Sequence, residues 1–192
     1  HHKPHTIHHE LPTARQEITE KPFDENEEEK NAAPDEQRIP FKDLPLSPQL
    51  QQCVAKLGFA TATNVQAESL KHILAHKDMI IRAKTGSGKT LAFLLPIMEM
   101  IDRQSSEVQA LIMAPTKELA QQIGKDLHKL DPHAKQVIVY GGVGMQPQVD
   151  KLRRWAQIVI GTPGRLLDHL SRGTMNLGRT KYVVLDEADR IL

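Results

Sequence analysis

Apolar residues along this chain fall into two kinds of run, and their order predicts the fold. Short continuous runs stand at Met79–Ala83, Ala110–Ala114, Gln136–Tyr140, Gln157–Ile160 and Tyr182–Leu185. They read as strands covered on both faces, because a strand with one wet face would alternate. Longer segments with helical spacing lie between and before them, at Ser47–Leu57, Val65–Ala75, Lys89–Ile101, Lys117–Leu130, Gln146–Arg154 and Gly164–Ser171. Such alternation predicts an α/β domain, a parallel sheet with helices on both faces. Ligands of these sheets bind at the carboxyl ends of the strands. The residues just after each strand are therefore where chemistry is expected. The most apolar stretch, Leu91–Ile101, is too short to span a membrane and carries Glu99. It reads as a buried helix.

The pattern is absent before Arg38. Five of the ten histidines fall in the first nine residues, and an acidic run, Asp24–Glu29, follows. With few apolar residues, this stretch cannot offset the entropy of ordering, so residues 1–37 are expected to be a disordered tail. Its histidines have no acidic or cysteine ligands at fixed spacing, which favours a plain tail over a metal site. The ordered domain is expected over 38–192.

Charge divides the same way. The tail holds four basic and ten acidic residues, whereas the remainder holds 21 basic and 14 acidic, a net +7. A basic domain suits a polyanionic partner. The lone cysteine, Cys53, excludes an internal disulfide and reads as a buried or half-buried thiol in a helix. An intracellular, cytoplasmic setting is the expectation that follows.

The first predicted strand runs into Ala83-Lys84-Thr85-Gly86-Ser87-Gly88-Lys89-Thr90 and then a helix. Glycines let several backbone N–H groups turn toward one anion, and the helix N-terminus adds partial positive charge. In that setting Lys89 would reach the β- and γ-phosphates of a nucleotide, and the Thr90 hydroxyl would ligate Mg²⁺. Thr85, Gly86, Ser87 and Gly88 complete the cradle. The last strand ends at Asp186-Glu187-Ala188-Asp189. Paired carboxylates opposite a phosphate loop suit two tasks: Asp186 holding Mg²⁺, and Glu187 orienting and activating the attacking water.

Read in order, these motifs resemble those of the DEAD-box RNA helicases of superfamily 2. Ala83 is the residue that superfamily places at the start of the loop. Pro115-Thr116-Lys117-Glu118-Leu119-Ala120 is similar to the family's Pro-Thr-Arg-Glu-Leu-Ala, with lysine for arginine. Gly141-Gly142 and Thr162-Pro163-Gly164-Arg165 resemble the next two motifs, and Asp186–Asp189 spells the family's name. The resemblance spans about Phe41 to Leu192. It implies a RecA-like P-loop domain that uses ATP with Mg²⁺, and Lys89, Asp186 and Glu187 as its catalytic set. Gly58–Gln66 resembles the family's adenine-reading element, with Ala62 and Asn64 where it has prolines. By that resemblance Gln66 would bond the adenine edge and Phe41 would stack on the ring; Phe59 is expected in the core.

The resemblance also implies RNA as partner, held by its backbone with little sequence preference. The residues implied are Pro115, Thr116, Lys117, Gly142, Thr162, Gly164 and Arg165. The threonines precede helices, where a hydroxyl and free N–H groups meet a phosphate, although the same threonines serve equally as N-caps. Arg165 can grip phosphate in a bidentate way, while Lys117 acts as a point charge. Trp155 and Tyr140 flank strands and are expected to pack rather than stack on bases. The family's Ser-Ala-Thr motif and a second RecA-like domain with an arginine finger are expected beyond Leu192. Two readings stay open: a part of an RNA helicase, or a non-catalytic nucleotide- or RNA-binding module. A DNA translocase of the same superfamily fits the Asp186–Asp189 spelling and the Gln66 element less well.

Overall fold

A computed structural model describes residues 38–83 and 88–192. The tail, 1–37, and Lys84–Ser87 of the phosphate loop lie outside the described residues. Four parallel strands form the main sheet: β3 (Ala110–Met113), β4 (Gln136–Val139), β5 (Ile158–Gly161) and β6 (Tyr182–Leu185), in the order β4-β5-β3-β6. Seven helices accompany them among the described residues. They are α1 (Pro48–Lys56), α2 (Asn64–Leu74), α3 (Lys89–Met100), α4 (Lys117–Leu130), α5 (Met145–Trp155), α6 (Pro163–Ser171) and the single turn α7 (Ala188–Ile191). A two-residue ribbon precedes the sheet, with β1 (Ile39–Pro40) antiparallel to β2 (Thr61–Ala62) and a 3₁₀ turn at Phe41–Asp43. The predicted α/β architecture is the one observed, with most element ends displaced by one residue.

Two apolar layers explain the strand sequences. Ala110, Ile112, Ile158, Ile160, Tyr182 and Val184 face one layer, filled by α1, α2, α3 and α4. Their alternate neighbours Leu111, Met113, Val137, Val139 and Val159 face the other, with Leu152 of α5, Leu166 of α6 and Met175. A period of two thus sends β3, β4 and β5 into both layers, which is why their runs are continuously apolar. Helix α3 is apolar nearly all round and is buried from Ala92 to Met98, as expected for a central helix. Its Glu99 accepts the Ser47 backbone N–H at 3.0 Å, tying α3 to the N-cap of α1.

Three expectations fail. The run Met79–Ala83 forms no strand. A parallel partner must lie roughly 4.8 Å away, whereas a groove of 960 Å³ lies between this run and β6. Ile80 is 90% exposed in consequence. β6 itself is not covered on both faces: Val183 is 60% exposed, because α5 and α6 cover β4 and β5 but not this sheet edge. Phe59 is not core. It follows Gly58, whose φ of +80° turns the chain out of α1, and it stands 54% exposed. Cys53 is half-buried, as expected.

Candidate functional site

Parallel strands put every carboxyl end on one edge of the sheet. In register, Val139, Gly161, Met113 and Leu185 form one row across β4, β5, β3 and β6. The ladder runs one step past it, with Thr162 N–H donating to Val139 O, Ala114 N–H to Gly161 O and Asp186 N–H to Met113 O. The segments Tyr140–Gly142, Thr162–Arg165, Pro115–Lys117 and Asp186–Asp189 therefore leave the sheet side by side. The first three are the predicted RNA segments. The fourth is the acidic motif, at the end of the row.

Helix α3 meets that end. Lys89, its first residue, places Nζ 3.2 Å from Asp186 Oδ1. Asp186 is 5% exposed, so its carboxylate is buried against the lysine that the sequence assigns to the phosphates. Thr90 follows in the first turn of α3, half-buried. Glu187 takes a left-handed backbone, φ 50° and ψ 52°, a costly conformation for a residue with a Cβ. Its N–H donates to Asp186 Oδ1 at 3.0 Å, and its carboxylate pairs with Arg190 at 2.8 Å. Thr85, Gly86 and Ser87 lie outside the described residues.

Gln66 meets the head of α3 from α2. It is the third residue of α2 in a capping box: its Oε1 accepts from Thr63 N–H, and its own N–H donates to the Thr63 hydroxyl. Its Nε2 donates to Gly88 O at 3.2 Å. These bonds fix which end of the amide is which, and leave one further N–H and one lone pair for a ligand. Gly88 has φ +81°, a backbone that favours glycine, and a Cβ there would push the Gln66 amide aside. The β1–β2 ribbon brings Phe41 beside this element through Phe41 N–H to Ala60 O. Phe41 is buried in the main core, and its ring offers little free face.

The two threonines differ. Thr116 caps α4, accepting Leu119 N–H at 3.2 Å. Thr162 makes no such bond at α6, leaving its hydroxyl uncommitted. Gly142, with φ +81°, lies in the exposed segment Gly141–Gly144. Lys117 and Gly164 are exposed. The Arg165 guanidinium donates to Gln148 and to the Val143 carbonyl. Trp155 is 41% exposed rather than packed away; its Nε1 donates to Ser105 O, and Lys135 sits 4.7 Å from the ring centre. Tyr140 accepts a bond from Gln121.

Sequence reasoning missed Gln148 and His169. Both are buried, and His169 bonds Thr174 Oγ1 and Gln148 Oε1. Burial holds the imidazole below its usual pKa; Arg165 and Arg172 push it further down, and Asp168 opposes them. The unfolded chain takes up this proton near pH 6.5 while the folded chain resists it. Stability contributed by neutral His169 is therefore complete above that pH and lost as pH falls below it. We expect the urea midpoint to drop between about pH 7.5 and 5.5, and the slope to shrink in His169→Gln. An unchanged slope would exclude His169 as its source.

A helix headed by Gly88-Lys89 and facing a buried acidic strand end, beside a parallel sheet, is the arrangement of a RecA-like α/β domain. The family model of the DEAD/DEAH box helicases matches residues 63–192, and the chain belongs to that family. Among its relatives is a protein of Bacillus cereus (strain ATCC 10987 / NRS 248) named DEAD-box ATP-dependent RNA helicase CshA. It is 45% identical over 154 residues, covering 79% of this chain and 29% of the relative. The CshA of Bacillus subtilis (strain 168) is 43% identical, over 80% of this chain and 32% of its own. Among solved structures, a DEAD box protein from the hyperthermophile Methanococcus jannaschii superposes with a TM-score of 0.74 at 38% identity. That match covers 80% of this chain and 42% of the other. The chain thus spans about a third of the curated relatives' length.

Proposed function

We propose that this chain is the nucleotide- and RNA-binding part of an ATP-dependent RNA helicase. The observation that carries the reading is the Lys89–Asp186 pair at the end of a row of parallel strand ends. Lys89 holds the β- and γ-phosphates, with Thr85, Gly86, Ser87 and Gly88 as the backbone cradle. Gln66 reads adenine with the N–H and lone pair it retains; Phe41, buried in the core, backs this element rather than stacking on the ring. Thr90 and Asp186 offer a hydroxyl and a carboxylate, hard oxygens that fit Mg²⁺. Among the described residues no cluster of three or more His, Cys, Asp or Glu could hold a metal. Bound at Thr90 and Asp186, Mg²⁺ neutralises phosphate charge. Glu187 orients the attacking water. Pro115, Thr116, Lys117, Gly142, Thr162 and Gly164 form the RNA backbone surface, and Arg165, bonded to Gln148 and Val143, holds its turn in place. We assign hydrolysis and duplex unwinding to the longer protein, with a second RecA-like domain.

No helix among the described residues is long and apolar enough to cross a membrane. The test is a titration with ADP–Mg²⁺, GDP–Mg²⁺ and single-stranded RNA. Adenine presents a donor at N6 where guanine presents an acceptor at O6, and an unpaired buried polar group costs roughly 1–3 kcal/mol. ADP is expected to bind roughly 10-fold or more tightly than GDP, Gln66→Ala to erase the preference, and RNA to bind with a steep salt dependence. Equal affinity for ADP and GDP, or no RNA binding at low salt, would overturn the corresponding half of the proposal.

A further inference from the structure

Two polar side chains, Gln148 and His169, are buried between α5 and α6, with Thr174 and Arg165 half-buried beside them. His169 is bonded at both ring nitrogens, Nε2 2.9 Å from Gln148 Oε1 and Nδ1 2.7 Å from Thr174 Oγ1. An amide oxygen only accepts, so Nε2 carries the proton, and in the neutral ring Nδ1 shares the single proton of the Thr174 hydroxyl with the His169 carbonyl 3.1 Å away. Gln148 Nε2 donates to Tyr140 O at 2.9 Å, which fixes the amide's orientation. Its Oε1 accepts a second time, from Arg165 Nη1 at 3.2 Å. Arg165 Nη2 donates to Val143 O at 3.0 Å. The bonds run from the turn after α6 to α5 and end on Tyr140 and Val143, the two residues flanking Gly141-Gly142. No described hydrogen bond reaches the glycines themselves, and the one other side-chain bond to a flanking residue is Gln121 Nε2 to the Tyr140 hydroxyl; Gly142 has φ +81°, and a Cβ on either glycine would meet no atom within 4 Å.

We infer that Gln148 and His169 are positioning residues that lock the Gly141-Gly142 segment to the Thr162–Arg165 turn. Arg165 acts as the tie between them rather than as a free cation for phosphate. A fully satisfied buried network specifies one arrangement, and losing a member leaves the others unpaired. Two RNA-contacting segments from different strands thereby keep one spacing, which a sugar–phosphate backbone of fixed repeat requires. The inference rests on reading these segments as an RNA surface.

The test uses the whole chain, a short fluorescent oligouridylate and ADP–Mg²⁺. Gln148→Met keeps the side chain's length and removes all of its hydrogen bonds. It is expected to weaken RNA about tenfold, to leave ADP affinity unchanged, and to keep the salt slope, since no charge is lost. Arg165→Lys keeps the charge but cannot reach both acceptors, and should weaken RNA by a similar factor. The double variant should be no weaker than the worse single one, because both break the same tie. Additive losses would give Arg165 an independent grip on RNA and overturn the inference. So would unchanged RNA affinity in Gln148→Met, or parallel loss of ADP binding, which marks a folding role only. Failure of the unaltered chain to bind RNA would remove the underlying reading, and the inference with it.

Discussion

Lys89→Ala is expected to weaken ADP–Mg²⁺ binding by roughly 10- to 100-fold, the range that one charge-assisted hydrogen bond supplies. Two separate losses combine. The ammonium no longer meets the phosphates, and Asp186, 5% exposed, loses the cation 3.2 Å from its Oδ1. Because Lys89 itself is about a third exposed, water replaces part of that second loss. About 1 kcal/mol of stability is a reasonable upper figure for it. Asp186→Asn separates the effects. It keeps the shape and leaves Lys89 free for phosphate, so ADP without metal should bind as before while the gain from Mg²⁺ disappears. Isothermal titration with and without Mg²⁺ reads both. Wild-type affinity in Lys89→Ala would remove this lysine from the site.

How far the sequence carried can be judged element by element. Helix α4 was legible residue for residue, because Thr116 caps it and its apolar stripe at Ala120, Ile123, Leu127 and Leu130 is uninterrupted. β6 was legible in extent, but its exposure was not. Tyr182–Leu185 looks like a central strand, and only the position of α5 and α6 reveals an open face. Met79–Ala83 carries the same kind of apolar run and forms no ladder, since a strand is a property of two segments and a run describes one. Phe59 was misread for a similar reason: an aromatic residue after a positive-φ glycine has no local signal for the side it faces. In the site, Lys89 and Asp186 stood in motifs, and the structure brings them together. Gln148 and His169 have no motif. Their roles come from α5 and α6 packing together, and a buried glutamine looks like a surface one until its partners are known.

Gly161→Ala carries the largest expected loss of stability among the glycines near the RNA segments. Gly161 ends β5 and sits in register with both Val139 and Met113. A Cβ there would lie 2.6 Å from Val139 Cγ2, 2.8 Å from Val139 O and 2.9 Å from Leu166 Cδ2. The two side chains can rotate, but the carbonyl cannot yield, because it accepts Thr162 N–H at 3.1 Å in the ladder between β4 and β5. Either the strands separate or that bond breaks. Overpacking of this kind costs about 2–3 kcal/mol, a drop of roughly 4–12 °C in Tm for a chain of this size. Gly164, three residues on, provides the contrast. A Cβ there meets nothing within 4 Å, and alanine suits the first turn of α6, so Gly164→Ala should hold stability within about 0.5 kcal/mol. Its effect should fall on RNA instead, because the added methyl projects from the exposed turn where the backbone is proposed to pass. Thermal melts and RNA titrations on the two variants should therefore split, with stability lost in one and affinity in the other. If Gly161→Ala melts with the unaltered chain, β4 and β5 yield more readily than their ladder implies. If Gly164→Ala binds RNA normally, the Thr162–Arg165 turn does not face the backbone.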